Sequence, residues 1–352
     1  MDFGIQFFPT VGSDQVSASQ YFSDCLRIAE LADSLGYSHL RAVEHYFEPY
    51  GGYSPNPFVF LAAMAMRSTQ ARLIVGAVLP AFNHPLKIAG EIGMLDAISG
   101  GRAEIGFGRA FLPHEFRRFG IDLDSSKARF SEGLEQVRLL LERPEVACDG
   151  QYHAFDRTTS LPRPTQQPRP PFWIAATSTP DSFINAGKAG HAVMTTPLGG
   201  GKMRELLGLY RDAWRSAGHP GKPKAMLAFH MFCWPDGKEA RELVREPLQC
   251  YLQSFAHAAS DWTSTASSNY SGYDQIVAGI KRQTVESMAE SGSLLVGPPA
   301  EIREQIEKVR ETVGGFEVAS LQVNFGKLPA QLICDSLRRF AAEVMPQMKI
   351  CG

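Results

Sequence analysis

A histidine beside a glutamate ends one short apolar run, in Val43-Glu44-His45-Tyr46-Phe47. Histidine titrates near neutral pH, so His45 suits proton transfer, although a lone histidine also serves structure. A second run ends in Gly106-Phe107-Gly108-Arg109. Glycines there let the backbone approach a ligand closely, and Arg109 places a guanidinium at the rim. A third ends in Thr177-Ser178-Thr179-Pro180-Asp181-Ser182. Hydroxyls and free N–H groups at a helix entry suit an anion. Together Arg109 and this turn suggest a phosphate clamp. Taken singly, Arg109 reads equally as a surface ion pair, and Thr177, Ser178 and Ser182 as helix caps.

Other chemistries find no support. The six cysteines (25, 148, 233, 250, 334 and 351) form no Cys-x-x-Cys pair and read as reduced structural thiols. No His-Glu-x-x-His, Gly-x-Ser-x-Gly or P-loop occurs, and the nine histidines show no metal-ligand spacing. No metal is expected. A net charge of −2 argues against a nucleic-acid partner. No apolar run is long enough to span a bilayer, and the N-terminus lacks a signal-peptide shape. Cytoplasmic residence is the default.

The elements that must position these residues alternate along the chain. Strands are expected at 3–8, 39–43, 73–79, 103–107, 172–176, 192–196, 225–233 and 321–325. They are short apolar runs, as in strands buried on both faces. Between them lie helical stripes, such as Phe130/Leu134/Val137/Leu141 and Ile302/Ile306/Val309/Val313, read as core faces without function. Eight strands alternating with helices predict an α/β fold, a (β/α)8 TIM barrel over residues 1–352 as one domain. An open doubly wound sheet would favour a glycine fingerprint after strand 1, and Phe8-Pro9-Thr10-Val11-Gly12 has none. Two stretches interrupt the alternation. Residues 143–171 read as a long surface excursion, and residues 259–292 as a lid or as plain disorder. In such a barrel the active site lies where the strands end, which is where His45, Arg109 and the 177–182 turn fall.

These segments resemble a known family. Val43-Glu44-His45-Tyr46-Phe47 is similar to the strand-2 end of the luciferase-like flavin monooxygenases. So is the block from His84-Pro85 through Leu95-Asp96-x-x-Ser99-x-Gly101-Arg102 to Gly106-Phe107-Gly108-Arg109. It runs on through Glu115-Phe116-Arg117-Arg118-Phe119-Gly120, near the family's alkanal monooxygenase α chain. The likeness covers nearly the whole chain. It implies the barrel and FMN, used reduced, with molecular oxygen as co-substrate. It implies that Arg109, Thr177, Ser178 and Ser182 hold the flavin phosphate. It places Glu44, Gly76-Ala77, Thr195 and Thr196 beside the ring, and makes His45 the catalytic histidine. It also implies a homodimer. With no nicotinamide fingerprint in the chain, a separate flavin reductase is the expected partner.

Three departures separate this chain from the light emitters. Tyr46 stands where the α chain has a second histidine, Gly108 where it has a reactive cysteine, and Thr177 where it has a glutamate. The expectation is therefore an FMN- and oxygen-dependent monooxygenase of a hydrophobic organic substrate, in natural-product tailoring. A long-chain aldehyde substrate, a deazaflavin-dependent dehydrogenase and a non-catalytic flavin-binding subunit are the alternatives.

Overall fold

The computed structural model describes residues 1–197 and 201–349; Cys351 lies outside them. The first strands are β1 (Asp2–Phe7), β2 (His39–Ala42), β3 (Arg72–Val78) and β4 (Ala103–Phe107). An antiparallel hairpin follows, β5 (Val146–Asp149) with β6 (Ala154–Thr158). Then come β7 (Phe172–Ala175), β8 (Ala192–Thr195), β9 (Ala225–Cys233), β10 (Leu294–Gly297) and β11 (Val318–Gln322). Strands β1, β2, β3, β4, β7, β8, β9 and β11 pair in parallel in that order, and β11 returns to β1. The sheet is thus a closed eight-stranded barrel with flanking helices, as the alternation of elements implies.

The structure corrects the expected elements in four places. The last barrel strand lies at Val318–Gln322, three residues before its expected start at 321. Phe325 is apolar because it is buried in the following loop, not because it pairs. Strand β10 was not expected. It pairs with His230–Cys233 of β9, beyond the Ala225–Leu227 stretch that β8 occupies. The 143–171 excursion contains the β5–β6 hairpin, held to helix Ser126–Glu142 by Glu132, which accepts the N–H groups of Gln151, Tyr152 and His153. The 259–292 segment is a folded series of short helices, among them Ile276–Lys281 and Val285–Ser291. Its Trp262 and Tyr270 are buried, donating to the carbonyls of Phe111 and Ala110 at 2.9 Å each.

The barrel is plugged from below. Arg72 at the start of β3 pairs with Glu104 at 2.8 Å, and Trp173 donates to the same carboxylate at 2.6 Å. Gln166, from the excursion, accepts from Arg72 at 2.9 Å and closes this end. An apolar layer follows, built from Ile74, Trp173, Met194, Met226 and Val318. Above it the interior turns polar, with Gln6, Arg41, His230 and Gln322. A filled lower half and an open upper half leave room for a ligand only at the C-terminal ends.

Met226 is fully buried at the boundary between the two halves, 4.0 Å from the Arg41 guanidinium through its sulfur. Met226→Ala should open a cavity under Arg41 and destabilise the fold by about 2–5 kcal/mol, read from urea unfolding.

Candidate functional site

One cleft of about 980 Å³ opens at the C-terminal ends of the barrel strands. Nine of the ten residues singled out in the sequence line it: Glu44, His45, Gly76, Ala77, Arg109, Thr177, Ser182, Thr195 and Thr196. Ser178 is exposed and does not. The turn aims Thr177 inward, and its neighbour therefore faces out.

His45 follows β2 and is buried. Its Nδ1 meets Glu115 Oε1 at 3.2 Å. The same carboxylate oxygen accepts the Tyr46 N–H at 2.9 Å. Glu115 is wholly buried and comes from the short helix Pro113–Arg118. It therefore fixes both the ring and the backbone at the end of β2. Gly51 packs against the other side, where a Cβ would fall 2.5 Å from His45 Cβ. With Nδ1 engaged, Nε2 is the ring nitrogen left for chemistry, and no described residue bonds to it. Rings surround it: Phe8 and Tyr50 lie 5.5 and 5.4 Å away by centroid, and Phe111 lies 6.0 Å away. Tyr251, Phe255 and Tyr273 extend this aromatic wall.

Glu44 points elsewhere from the same strand end. It accepts from Leu79 N at 3.1 Å, from Asn83 Nδ2 at 2.7 Å and from the Tyr46 hydroxyl at 2.5 Å. Burial outweighs these bonds and pushes its carboxyl up to about 8. At neutral pH it is largely a protonated acid. A cis peptide joins Gly76 to Ala77, and the Gly76 carbonyl accepts from Arg41 at 3.0 Å.

The rim carries anion donors. Arg109 has no carboxylate partner among the described residues. It donates to the Asn269 carbonyl at 2.8 Å and lies over the Tyr270 ring at 4.3 Å, so the 259–292 segment holds it at the cleft edge. The next residue, Ala110, has φ +62°, and Tyr270 donates to its carbonyl. Across the opening, Thr179 caps helix Pro180–Lys188 with its backbone alone. The hydroxyls of Thr177, Ser178 and Ser182 make no hydrogen bond within the described protein. The surface-ion-pair and helix-cap readings of these residues both fail.

Sequence reasoning missed several lining residues. Phe130 and Leu134, assigned to a core stripe, line the cleft. So does Lys127, exposed and free of any ion pair among the described residues. Glu115 lay inside the recognised block with no role given. The polar interior residues Gln6, Arg41, His230 and Gln322 had a signal: each is a polar residue in an otherwise apolar strand. No cluster of acidic, histidine or cysteine residues that could hold a metal occurs among the described residues.

Residues 1–315 match the family described as luciferase-like monooxygenase. The oxygenase component of a flavin-dependent trigonelline monooxygenase from Acinetobacter baylyi is 29% identical, over 95% of this chain and 92% of that one. The crystal structure of the monooxygenase RslO1 from Streptomyces bottropensis is 41% identical with a TM-score of 0.89, covering 99% of this chain and all of that one. The oxygenating constituent of 3,6-diketocamphane monooxygenase from Pseudomonas putida, solved with FMN, shares the fold at 23% identity and a TM-score of 0.80, over 99% and 98% of the two chains. With a histidine-bearing cleft at the mouth of a matching barrel, the chain belongs to the luciferase-like monooxygenase family.

Proposed function

We propose that this chain is the oxygenase component of a two-component monooxygenase. It uses FMN, delivered reduced by a separate flavin reductase, and molecular oxygen to oxidise a hydrophobic organic substrate. One observation carries the reading: a histidine with an unengaged ring nitrogen shares a cleft with an aromatic wall and a rim of uncommitted anion donors.

The cleft fits the cofactor. Three buried polar atoms on residues that line it, Arg41 Nε, His230 Nε2 and Gln322 Nε2, have no hydrogen-bond partner among the described residues. Gly108 leaves open a space where a Cβ would come within 3.2 Å of Ala77 and Leu79. Arg109, Thr177 and Ser182 would hold the phosphate, with Lys127 added and Ser178 at the exposed flank. Asp181 lies on the same turn, so the cations must outweigh one exposed carboxylate. Glu44, Gly76, Ala77, Thr195 and Thr196 would border the ring. When bound, the flavin supplies the oxygen-activating chemistry.

The chain's own residues do the rest. Glu115 fixes the His45 tautomer and orientation, so that Nε2 can give or take a proton at the substrate. Glu44, its carboxyl held protonated by burial, keeps a negative charge out of the cleft wall at neutral pH. The folded 259–292 segment contributes Tyr273, Gln283 and Met288 to the lining and keeps water from that side. Flat aromatic faces reward a ring-bearing substrate more than a flexible aldehyde chain, which supports a tailoring role in natural-product synthesis. His45, held in place with a reactive nitrogen, argues against a non-catalytic subunit.

We further propose a cytoplasmic homodimer. No helix among the described residues is long and apolar enough to cross a membrane. Two adjacent helices, Pro57–Ala65 and Pro85–Ile98, expose Val59 (68%), Met94 (54%) and Ile98 (46%), an apolar face that a second copy would cover.

Four outcomes test these readings. His45→Ala should bind reduced FMN as the native protein does and lose roughly a hundredfold or more in turnover; unchanged turnover would remove His45 from catalysis. Binding of a deazaflavin in place of FMN would select the dehydrogenase alternative. Glu44 sets a pH dependence of stability. Its folded value is raised, so the folded protein holds a proton that the unfolded chain releases near its ordinary value. Stability should fall as pH rises through the window from that ordinary value to about 8. Glu44→Gln should remove this slope, gaining on the native protein by on the order of a few kcal/mol between pH 5 and pH 9 in denaturant titrations. Ile98→Glu should convert a dimer to a monomer by light scattering; a native monomer would sink the dimer.

A further inference from the structure

Four polar side chains share one register row of the barrel. Gln6 on β1 lies opposite Arg41 on β2 and, on its other side, opposite Gln322 on β11. Gln322 in turn lies opposite His230 on β9. Residues opposed across neighbouring strands project from the same face of the sheet, and all four line the cleft. They form its floor, above the apolar layer.

This floor carries a charge that no carboxylate among the described residues answers. Arg41 donates to Gln6 Oε1 at 2.7 Å and to the Gly76 carbonyl at 3.0 Å, both neutral acceptors. No carboxylate reaches it within ion-pair distance among the described residues. Glu44 and Glu115, at the end of β2, are committed to other donors. Burial lowers Arg41 only to about 10, which leaves it a cation at neutral pH, and lowers His230 to about 3, which leaves that ring neutral. Arg41 Nε, Gln322 Nε2 and His230 Nε2 are buried without a partner. Gly76 makes room for the guanidinium, since a Cβ there would fall 2.2 Å from Arg41 Nε. The cation therefore lies directly against the Gly76–Ala77 backbone.

A buried cation without a counter-charge is unfavourable, and orphaned buried polar groups ask for an occupant. That occupant must be negative, rich in acceptors and seated beside Gly76–Ala77. We propose that Arg41, with Gln6, Gln322 and His230, receives the pyrimidine edge of the reduced, anionic flavin ring and makes the site prefer reduced over oxidised FMN. The inference rests on the FMN reading above. The oxidised ring offers similar carbonyl acceptors but no net charge, so it keeps the neutral hydrogen bonds and loses the charge-assisted ones. A site with that preference accepts the flavin in the state a reductase delivers and releases it once oxidised.

Anaerobic titration with oxidised FMN and with dithionite-reduced FMN tests this. The native protein should bind the reduced form at least about tenfold more tightly. Arg41→Gln should lose roughly 10- to 100-fold for reduced FMN and no more than about threefold for oxidised FMN. Arg41→Lys, which keeps a cation, should retain part of the preference. The potential of the bound flavin should fall in Arg41→Gln by about 30 mV for each tenfold change in that ratio. Arg41→Met gives the same reading should Arg41→Gln fail to fold. Equal losses for both redox forms, or none, would overturn the proposal while leaving FMN as the cofactor. A native protein that binds neither form of FMN would overturn the cofactor reading as well.

Discussion

A guanidinium buried in the mouth of a barrel, with only neutral groups beside it, is the constraint around which the upper half of this structure is arranged. Arg41 cannot be left in an apolar layer, so the interior changes character at its level. Below it lie Ile74, Met194 and Met226, and below those the Arg72–Glu104 pair. The two arginines show the contrast. Arg72 has a carboxylate, a tryptophan N–H on the same carboxylate, and a glutamine from the excursion. That end is finished as protein. Arg41 has a glutamine, a backbone carbonyl and a thioether. That end is finished only when something else is present.

His45 and Glu44 show how one strand end yields two different acids. The side chains are adjacent in sequence and turn to opposite surroundings. His45 is gripped by a fully buried carboxylate and ringed by aromatics, with one nitrogen left over. Glu44 is enclosed by Tyr46, Asn83 and the Leu79 N–H, and burial holds its proton to about 8. The strand end therefore sets an oriented imidazole beside a carboxyl whose proton burial retains, and both line the same cleft.

Much of this was legible in the sequence, and the exceptions have physical causes. Eight apolar runs between helical stripes point to a parallel sheet covered on both faces, and the missing glycine fingerprint after strand 1 favours the closed barrel over the open sheet. Of the ten residues named from the strand-end rule and the family block, nine line the cleft. Ser178 lies outside the cleft lining, because identity alone does not say which hydroxyl of a turn faces in. Phe130 and Leu134 failed because a stripe at helical spacing looks the same whether it covers core or cleft. The composition of the 259–292 segment left a lid and plain disorder equally open. Its order comes from a few aromatic anchors, Trp262 and Tyr270, whose polar atoms reach backbone carbonyls far away in the chain. Contacts of that range leave no local signature. The polar row at Arg41 is different: a charged residue inside an apolar strand is itself a signal, and only the register shows that Gln6, Gln322 and His230 follow one another in pairing from it.

Arg109 joins the two loops that shape the opening. Its guanidinium offers five donors in a planar fork. One goes to the Asn269 carbonyl, and the flat face is covered by Tyr270. Both partners belong to the 259–292 segment, and the same segment is tied to Asp124 through Ser267 and Asn269. The remaining donors stay available at the cleft edge, opposite the unbonded hydroxyls of the 177–182 turn. Stacking orients the fork without neutralising it, because a ring face supplies attraction but no counter-charge. The 259–292 segment therefore positions the rim cation without neutralising it, whereas an ion pair at Arg109 would have cancelled its charge.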